Sequence, residues 1–286
     1  MGKLIAFGWY GGKYSHLDWL MPLLPEAAHY CEPFGGSAAV LINRQPSPVE
    51  TYNDVHGELV NFFRVLREQG DALTRAIGLT PFSRQEFEAA ISEPSESLSE
   101  LERARRFYIL ARQVRTGLAQ KASSGRWAHC KLTSRAGMAG AVSRWLGAVE
   151  DLPLIAQRLL RVQIEHAPAI EVIRRYDSEE TLFYCDPPYP HGSRTDVNAY
   201  AYEMTDDDHR ELAKVLRGVK GKVALSSYHC DLMEELYGDW RRIESGEKII
   251  HSVKKSRMEV LWINYELERE IQCQPHRRAH RQASLI

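Results

Sequence analysis

Asp186-Pro187-Pro188-Tyr189 is the stretch of this sequence best equipped for chemistry. Two consecutive prolines remove backbone donors and hold the chain extended, so the turn is stiff and its polar edge is almost all acceptor. The Asp186 carboxylate and the Pro187 carbonyl could take the two hydrogens of an exocyclic amine while the ring that bears it stacks on Tyr189, just beyond Pro188. Alone, the quartet also reads as a plain strand-ending turn with a satisfied aspartate, and its companions decide the matter. Trp9-Tyr10-Gly11-Gly12-Lys13 allows close backbone approach to a ligand and offers a cation to a carboxylate, although a turn with a surface lysine fits the same residues. Glu32-Pro33-Phe34-Gly35-Gly36 would bring backbone N–H groups and a helix N-terminus toward an anion, with Glu32 placed to take an amino group or simply to be solvated. Asp54 follows Gly36 by eighteen residues, a spacing at which an acidic residue after a second strand commonly binds ribose hydroxyls; it could instead cap the next helix. The glycines do not spell G-x-G-x-x-G, which weakens a dehydrogenase reading.

These groups need a scaffold that delivers them to one place, and the hydropathy pattern implies one. Thr181-Leu182-Phe183-Tyr184-Cys185 carries no charge and reads as a buried parallel strand that must stop at Pro187. Strands are expected over 28–32 and 49–52, the first followed by a helix over 38–42. The second leads to a helix whose stripe of Leu59, Phe62, Phe63 and Leu66 is core rather than function. From 151 the alternation resumes with a helix over 154–160, a strand over 162–165 and a helix over 169–176 ahead of the central strand. Thr205 opens a further helix in which His209 is structural, and strands follow over 222–226, 240–244 and 260–264, the last two as a hairpin. The predicted fold is α/β, mostly parallel, and ligands in such sheets bind outside the carboxyl ends of the strands. Trp9, Glu32, Asp54 and Asp186 would converge there. The polar stretch 191–202 would either close over a substrate or form an ordinary long loop.

Between these halves the character changes. Ser83 with Glu86 and Ser99 with Glu102 look like capping boxes, and the second helix would run through Phe107, Leu110, Val114 and Leu118. Residues 103–149 contain no Asp or Glu but ten basic residues, interleaved with Gly117, Gly125, Gly137, Gly140 and Trp127. A basic segment with a flexible loop suits contact with phosphates, with Arg112, Arg115, Lys121, Arg126, Lys131 and Arg135 as the candidate ligands. A solvated basic face would explain the helix charges but not so long a stretch without a carboxylate.

Composition narrows the field. The 286 residues carry a formal net charge of only −1, so the basic segment is a local feature. There is no apolar run of membrane-spanning length and no signal-peptide pattern, which leads us to expect a cytoplasmic protein with no membrane association. Five scattered cysteines show neither zinc nor disulfide spacing, and Cys31 and Cys185 at strand ends read as buried structural thiols.

Taken in order, Trp9 to Lys13, Glu32 to Gly36, Asn53-Asp54 and Asp186 to Tyr189 resemble the motifs of the Dam-like DNA adenine-N6 methyltransferases, as do Thr205-Asp206 with His209 and the segment from Glu259 to Tyr265. The resemblance implies a Rossmann-like S-adenosylmethionine-dependent methyltransferase fold with an inserted, mainly helical target-recognition region. Its divisions would be a cofactor-binding part at 1–78, the insertion at 79–150, a catalytic part at 151–265, and a basic tail at 266–286 bearing Arg277, Arg278 and Arg281, expected to be disordered or an auxiliary nucleic-acid contact. It implies S-adenosyl-L-methionine as methyl donor, held by Trp9, Lys13, Glu32, Phe34, Gly35, Gly36, Asp54 and Asp186. No metal is expected. The substrate would be adenine in double-stranded DNA, taken out of the duplex and methylated directly at its exocyclic amine, with Asp186, Pro187, Pro188 and Tyr189 as catalytic residues and the protein acting as a monomer. A cytosine-carbon enzyme would need a Pro-Cys nucleophile, and no such dipeptide occurs. Methylation of an exocyclic cytosine amine, of RNA or of a protein amide, and a non-catalytic DNA-binding relative, are the rival readings. The recognition sequence, and whether a nuclease partner exists, are not written in the chain.

Overall fold

A computed structural model describes residues 2–92, 97–115, 126–193, 202–245 and 258–267. Lys121, Leu118, Gly117, Gly125, most of the loop after Tyr189 and the basic tail lie outside them. After a short helix α1 (Leu17–Leu20), strand β1 (His29–Glu32) leads through α2 (Ala39–Asn43) to β2 (Val49–Asn53) and α3 (Gly57–Glu68). Helices α4 (Gly70–Gly78), α5 (Arg84–Ser92) and α6 (Glu100–Gln113) follow, then a small hairpin of β3 (Ser134–Arg135) and β4 (Met138–Ala139), then α7 (Gly140–Glu150) and α8 (Leu152–Leu159). The chain returns to the sheet as β5 (Gln163–Glu165), α9 (Ala169–Tyr176), β6 (Thr181–Cys185), α10 (Asp206–Leu216), β7 (Lys222–Tyr228), α11 (Asp231–Tyr237), β8 (Arg241–Glu244) and β9 (Glu259–Ile263).

Among the described residues one seven-stranded sheet runs β5-β2-β1-β6-β7-β9-β8. The first five strands are parallel, and β9 is antiparallel to both β7 and β8. The predicted α/β fold with a reversed terminal hairpin is therefore present. β6 sits at the centre because all five of its residues are apolar enough to bury on both faces. Successive residues feed opposite layers: Leu182 and Tyr184 join the core that also holds Phe62 and Tyr108, while Phe183 and Cys185 join the one that holds Leu212 and Trp262. Cys31 and Cys185 are buried, as expected of structural thiols.

The insertion is packed more firmly than its glycines suggest. Tyr108 of α6 stacks on Phe62 of α3 at 5.6 Å, and its hydroxyl donates to the Ala148 carbonyl of α7. Helices α4 and α7 were not expected. Gly140 in fact begins α7, whose Ala141, Trp145 and Ala148 are buried at helical spacing. α6 ends earlier than its apolar period implies, because Val114 turns extended and pairs with Trp127. Arg103, Arg105 and Arg106 do not form a free basic face: they pair with Glu58, with Glu102 and Glu86, and with Glu102. The acids missing from 103–149 are supplied by flanking sequence.

Candidate active site

Parallel pairing brings the ends of β1, β2 and β6 to one edge, so Glu32, Asp54 and Asp186 meet there as the sequence requires. The cleft they border has a volume of about 400 Å³. Trp9, Lys13, Phe34, Gly35, Gly36 and Pro188 also line it, whereas Pro187 and Tyr189 do not. Its opposite wall comes from Pro168, Ala169 and Ile170 at the start of α9 and from Leu212 of α10. Six carboxylates border the cleft, those of Glu32, Asp54, Asp186, Glu203, Asp208 and Glu211, against a single lysine.

That lysine is not poised for a ligand's carboxylate. Lys13 is 3% exposed, and its Nζ donates to both Asp186 oxygens at 2.7 Å and to the Gly11 carbonyl at 2.7 Å. Glu259, from the start of β9, lies 3.2 Å from the same nitrogen. Burial alone would lower the Lys13 pKa, but the two carboxylates outweigh it and leave it raised. Burial pushes Asp186 up to about 6 against the pull of Lys13, with Glu259 adding repulsion. Burial likewise pushes Glu32 up to about 8, although the Tyr30 hydroxyl donates to it at 2.7 Å. Burial thus favours the protonated form of Glu32, while Lys13 works to keep Asp186 ionised.

The glycine turn is closely packed, and two of its N–H groups are already taken within the chain. A Cβ on Gly35 would fall 2.1 Å from the Tyr52 ring, and one on Gly36, at φ 50°, would fall 3.0 Å from Trp9 Cδ1. The Gly35 N–H donates to the Asn53 carbonyl at 2.7 Å and the Gly36 N–H to Asp54 Oδ2 at 2.9 Å. These donors face the end of β2, so the expected carboxylate cradle is not formed by them. Asp54 accepts a second bond from the His56 N–H at 2.8 Å; burial raises its pKa and the two N–H groups oppose that rise. It thus anchors the turn while lining the cleft, and the cap of α3 is His56, whose ring accepts from the Leu59 N–H.

Tyr189 corrects the sequence reading most sharply. It is 2% exposed, its ring lies edge-on to Tyr228 at 4.8 Å, and its hydroxyl donates to Glu259. A buried phenol needs an acceptor, and Glu259 provides one in the interior, so the ring offers no open face to the cleft. Tyr202, half exposed and edge-on to His56 at 5.6 Å, does line the cleft, as do Trp9, Tyr10 and Phe34. His56 is absent from the residues the sequence singles out, while Glu259 enters only as part of the resembling segment 259–265 and Tyr202 only as the end of the polar stretch 191–202. The signal for Glu259 was a lone acid at the start of an otherwise apolar strand.

None of the described candidate phosphate ligands borders the cleft, and Lys121 lies outside the described residues. Arg112 and Arg115 sit at the end of α6, and Arg126 is exposed at the opposite side of the Val114–Trp127 bridge. Lys131 and Arg135 lie on a run, 131–139, in which every residue is exposed. Ala136 and Gly137, both at positive φ, make the two-residue turn between β3 and β4. Among the described residues these five side chains have no carboxylate partner, unlike Arg103, Arg105 and Arg106. Trp127 is committed to packing, with Phe82 at 5.2 Å, the Arg84 guanidinium over its ring and its N–H on Gln113.

Comparison with known proteins bears on this arrangement. The family described as D12 class N6 adenine-specific DNA methyltransferase matches residues 9–258. A DNA N-6-adenine-methyltransferase of Escherichia phage P1 is 24% identical over 244 residues, which is 82% of this chain but 31% of that protein. The chain thus spans about a third of the length of the phage relative. A DNA adenine methylase of Vibrio cholerae serotype O1 is 27% identical over 75% of this chain and 76% of its own length. The Type II methyltransferase M.MjaIII of Methanocaldococcus jannaschii is 24% identical over 80% and 86%. Among solved structures, the rRNA methyltransferase aviRa of Streptomyces viridochromogenes overlaps 87% of this chain and 83% of its own at 11% identity, with a TM-score of 0.38.

Proposed function

This chain belongs to the D12 class N6 adenine-specific DNA methyltransferases, and from that premise we propose that it transfers a methyl group from S-adenosyl-L-methionine to the exocyclic amine of an adenine extruded from double-stranded DNA. The observation that carries the reading is the Asp186 turn at the carboxyl end of β6, opening into a cleft bordered by six carboxylates and one already committed lysine. Such a donor set fits a cationic ligand, and the apolar walls from Phe34, Val55 and Ile170 fit a purine. Glu32 and Asp54 would hold the amino and ribose groups of that donor. When bound, the donor supplies an electrophilic methyl group.

The chain's own residues do the rest. Asp186 Oδ accepts one amine hydrogen, and the Pro187 carbonyl, which does not line the cleft as it stands, would accept the other only once the base draws the turn toward it; together they favour a pyramidal nitrogen with an available lone pair. Ionised Asp186 then takes the proton that the methylated amine sheds. Because only its ionised form accepts both ways, activity is expected to fall as pH drops through about 6. Stacking of the extruded base on Tyr189 requires the ring to leave its place beside Tyr228, whereas Tyr202 is among the aromatic residues that already line the cleft. The test is transfer of labelled methyl groups to unmethylated plasmid followed by nucleoside analysis. Label in N6-methyladenine is expected, and label in a cytosine derivative or in none would reject the reading.

Asp54→Ala is expected to weaken S-adenosylmethionine binding by roughly 1.5–3 kcal/mol if a charge-assisted ribose bond is lost. Calorimetry giving unchanged affinity would leave Asp54 with its structural bonds to Gly36 and His56 alone. On the DNA side, log K should fall against log salt by about 0.9 per phosphate contact. Neutralising Arg126, Lys131 and Arg135 together should flatten that slope and leave donor binding as it was. An unchanged slope would turn this face of the insertion away from DNA.

A further inference from the structure

Glu259 is a buried carboxyl group beside Lys13 and Asp186 to which the sequence reading gives no role of its own. It opens β9, whose five residues are all buried, and it faces Tyr228 across the β7–β9 ladder. Its carboxylate therefore reaches the carboxyl end of the parallel strands although β9 runs the other way. A glutamate 4% exposed needs full partnering, and its partners are Lys13 Nζ and the Tyr189 hydroxyl. Both of those also bear on Asp186. One ammonium between two carboxylates leaves a net charge of −1. Without Glu259, Lys13 would neutralise Asp186 outright, and an amine turning cationic would meet an uncharged pair.

We propose that Glu259 is a positioning residue for methyl transfer: by sharing Lys13 with Asp186 and holding the Tyr189 hydroxyl, it leaves the Asp186 carboxylate with uncompensated negative charge toward the amine. The proposal rests on the reading of Asp186 as amine acceptor given above. As the amine lone pair bonds to the methyl carbon, the carbon–sulfur bond of the donor would break and leave its electron pair on sulfur; the nitrogen is cationic until a proton passes to Asp186, and fixed negative charge in a dry site stabilises that state. The other ionisable groups near Asp186 are Glu32 on β1, and Tyr184 and Cys185 on β6; near Glu259 they are Tyr184 and Tyr189. None of them is a second cation.

Glu259→Gln keeps the shape and an acceptor for Tyr189 but removes the charge. In ligand-free protein, carbon-13 carboxyl NMR of labelled aspartate, assigned with Asp186→Asn, should give Asp186 a lower titration midpoint in Glu259→Gln than in the unmodified protein. Single-turnover transfer should slow about tenfold or more, with donor affinity little changed and the acid limb of the pH profile displaced downward with the NMR midpoint. A residue that merely props up the fold would not move that limb. The double variant Lys13→Met with Glu259→Gln restores the net charge of −1 and should recover part of the rate. It also carries the test where the single variant does not fold, since a double variant as slow as Asp186→Ala would overturn the proposal. So would an unmoved midpoint, or a moved midpoint with an unchanged rate. Absence of any transfer by the unmodified protein would instead overturn the reading of Asp186, and this proposal with it.

Discussion

Asp186→Ala is expected to slow single-turnover methyl transfer by at least about a thousandfold, which is the upper end of what removal of one preorganised partner of a reacting group costs. The loss should fall on the chemical step. If, as proposed, duplex affinity rests mostly on phosphate contacts, it should persist. The fold should persist too, because Lys13 keeps Glu259 at 3.2 Å and the Gly11 carbonyl at 2.7 Å when Asp186 is gone. Asp186→Asn, which keeps one acceptor oxygen, should lie between the two. Base extrusion can be followed with 2-aminopurine at the target, and its fluorescence rise should survive in Asp186→Ala. Transfer at the unmodified rate would end the assignment of this cleft as the active site.

Lys13→Met should carry the largest stability penalty of any substitution at the cleft, about 3–5 kcal/mol, because it leaves the buried carboxylates of Asp186 and Glu259 facing each other without a cation. The sign with pH distinguishes charge from packing. Loss of the lysine raises the folded-state pKa of the acid pair above its unfolded value, so the penalty is absent where both acids are protonated and grows as pH rises through the raised values. Thermal melts at pH 5 and pH 8 should show the variant nearer to the unmodified protein at the lower pH. An equal gap at both would assign the loss to packing of the lysine stem.

What the sequence discloses of this site follows from what one strand can encode. β1, β2 and β6 are short apolar runs, each stopped by its own polar residues, and parallel pairing then forces Glu32, Asp54 and Asp186 to a common edge. No periodicity links Lys13 to Glu259 across the length of the chain, and the expected hairpin does not say that β9 pairs with β7 and so delivers Glu259 to this site. The packing role of Gly35 is hidden for a similar reason: its neighbour in space is the Tyr52 ring, which the local sequence does not announce. Tyr189 was misplaced because the pattern identifies an aromatic residue but not which of its two ends will be satisfied indoors. In the insertion, glycine content suggested a loop where Gly140 starts α7, and counting charge along the chain missed that Glu58 and Glu86 fold back onto Arg103 and Arg105.

The stacking of Tyr108 on Phe62, with Trp145 at 5.6 Å from the same tyrosine, bears on how such a chain can evolve. A recombination that exchanged the whole insertion would swap half of an aromatic cluster whose other half belongs to α3, and the hybrid would have to find new complementary shapes there. The run 131–139 lies at the other extreme, with no side chain buried and its ends closed on each other by β3 and β4. Substitutions can accumulate in it without disturbing any packed neighbour. Divergence among relatives should therefore concentrate in that hairpin, while the helices beneath it drift only as slowly as the sheet they lean on.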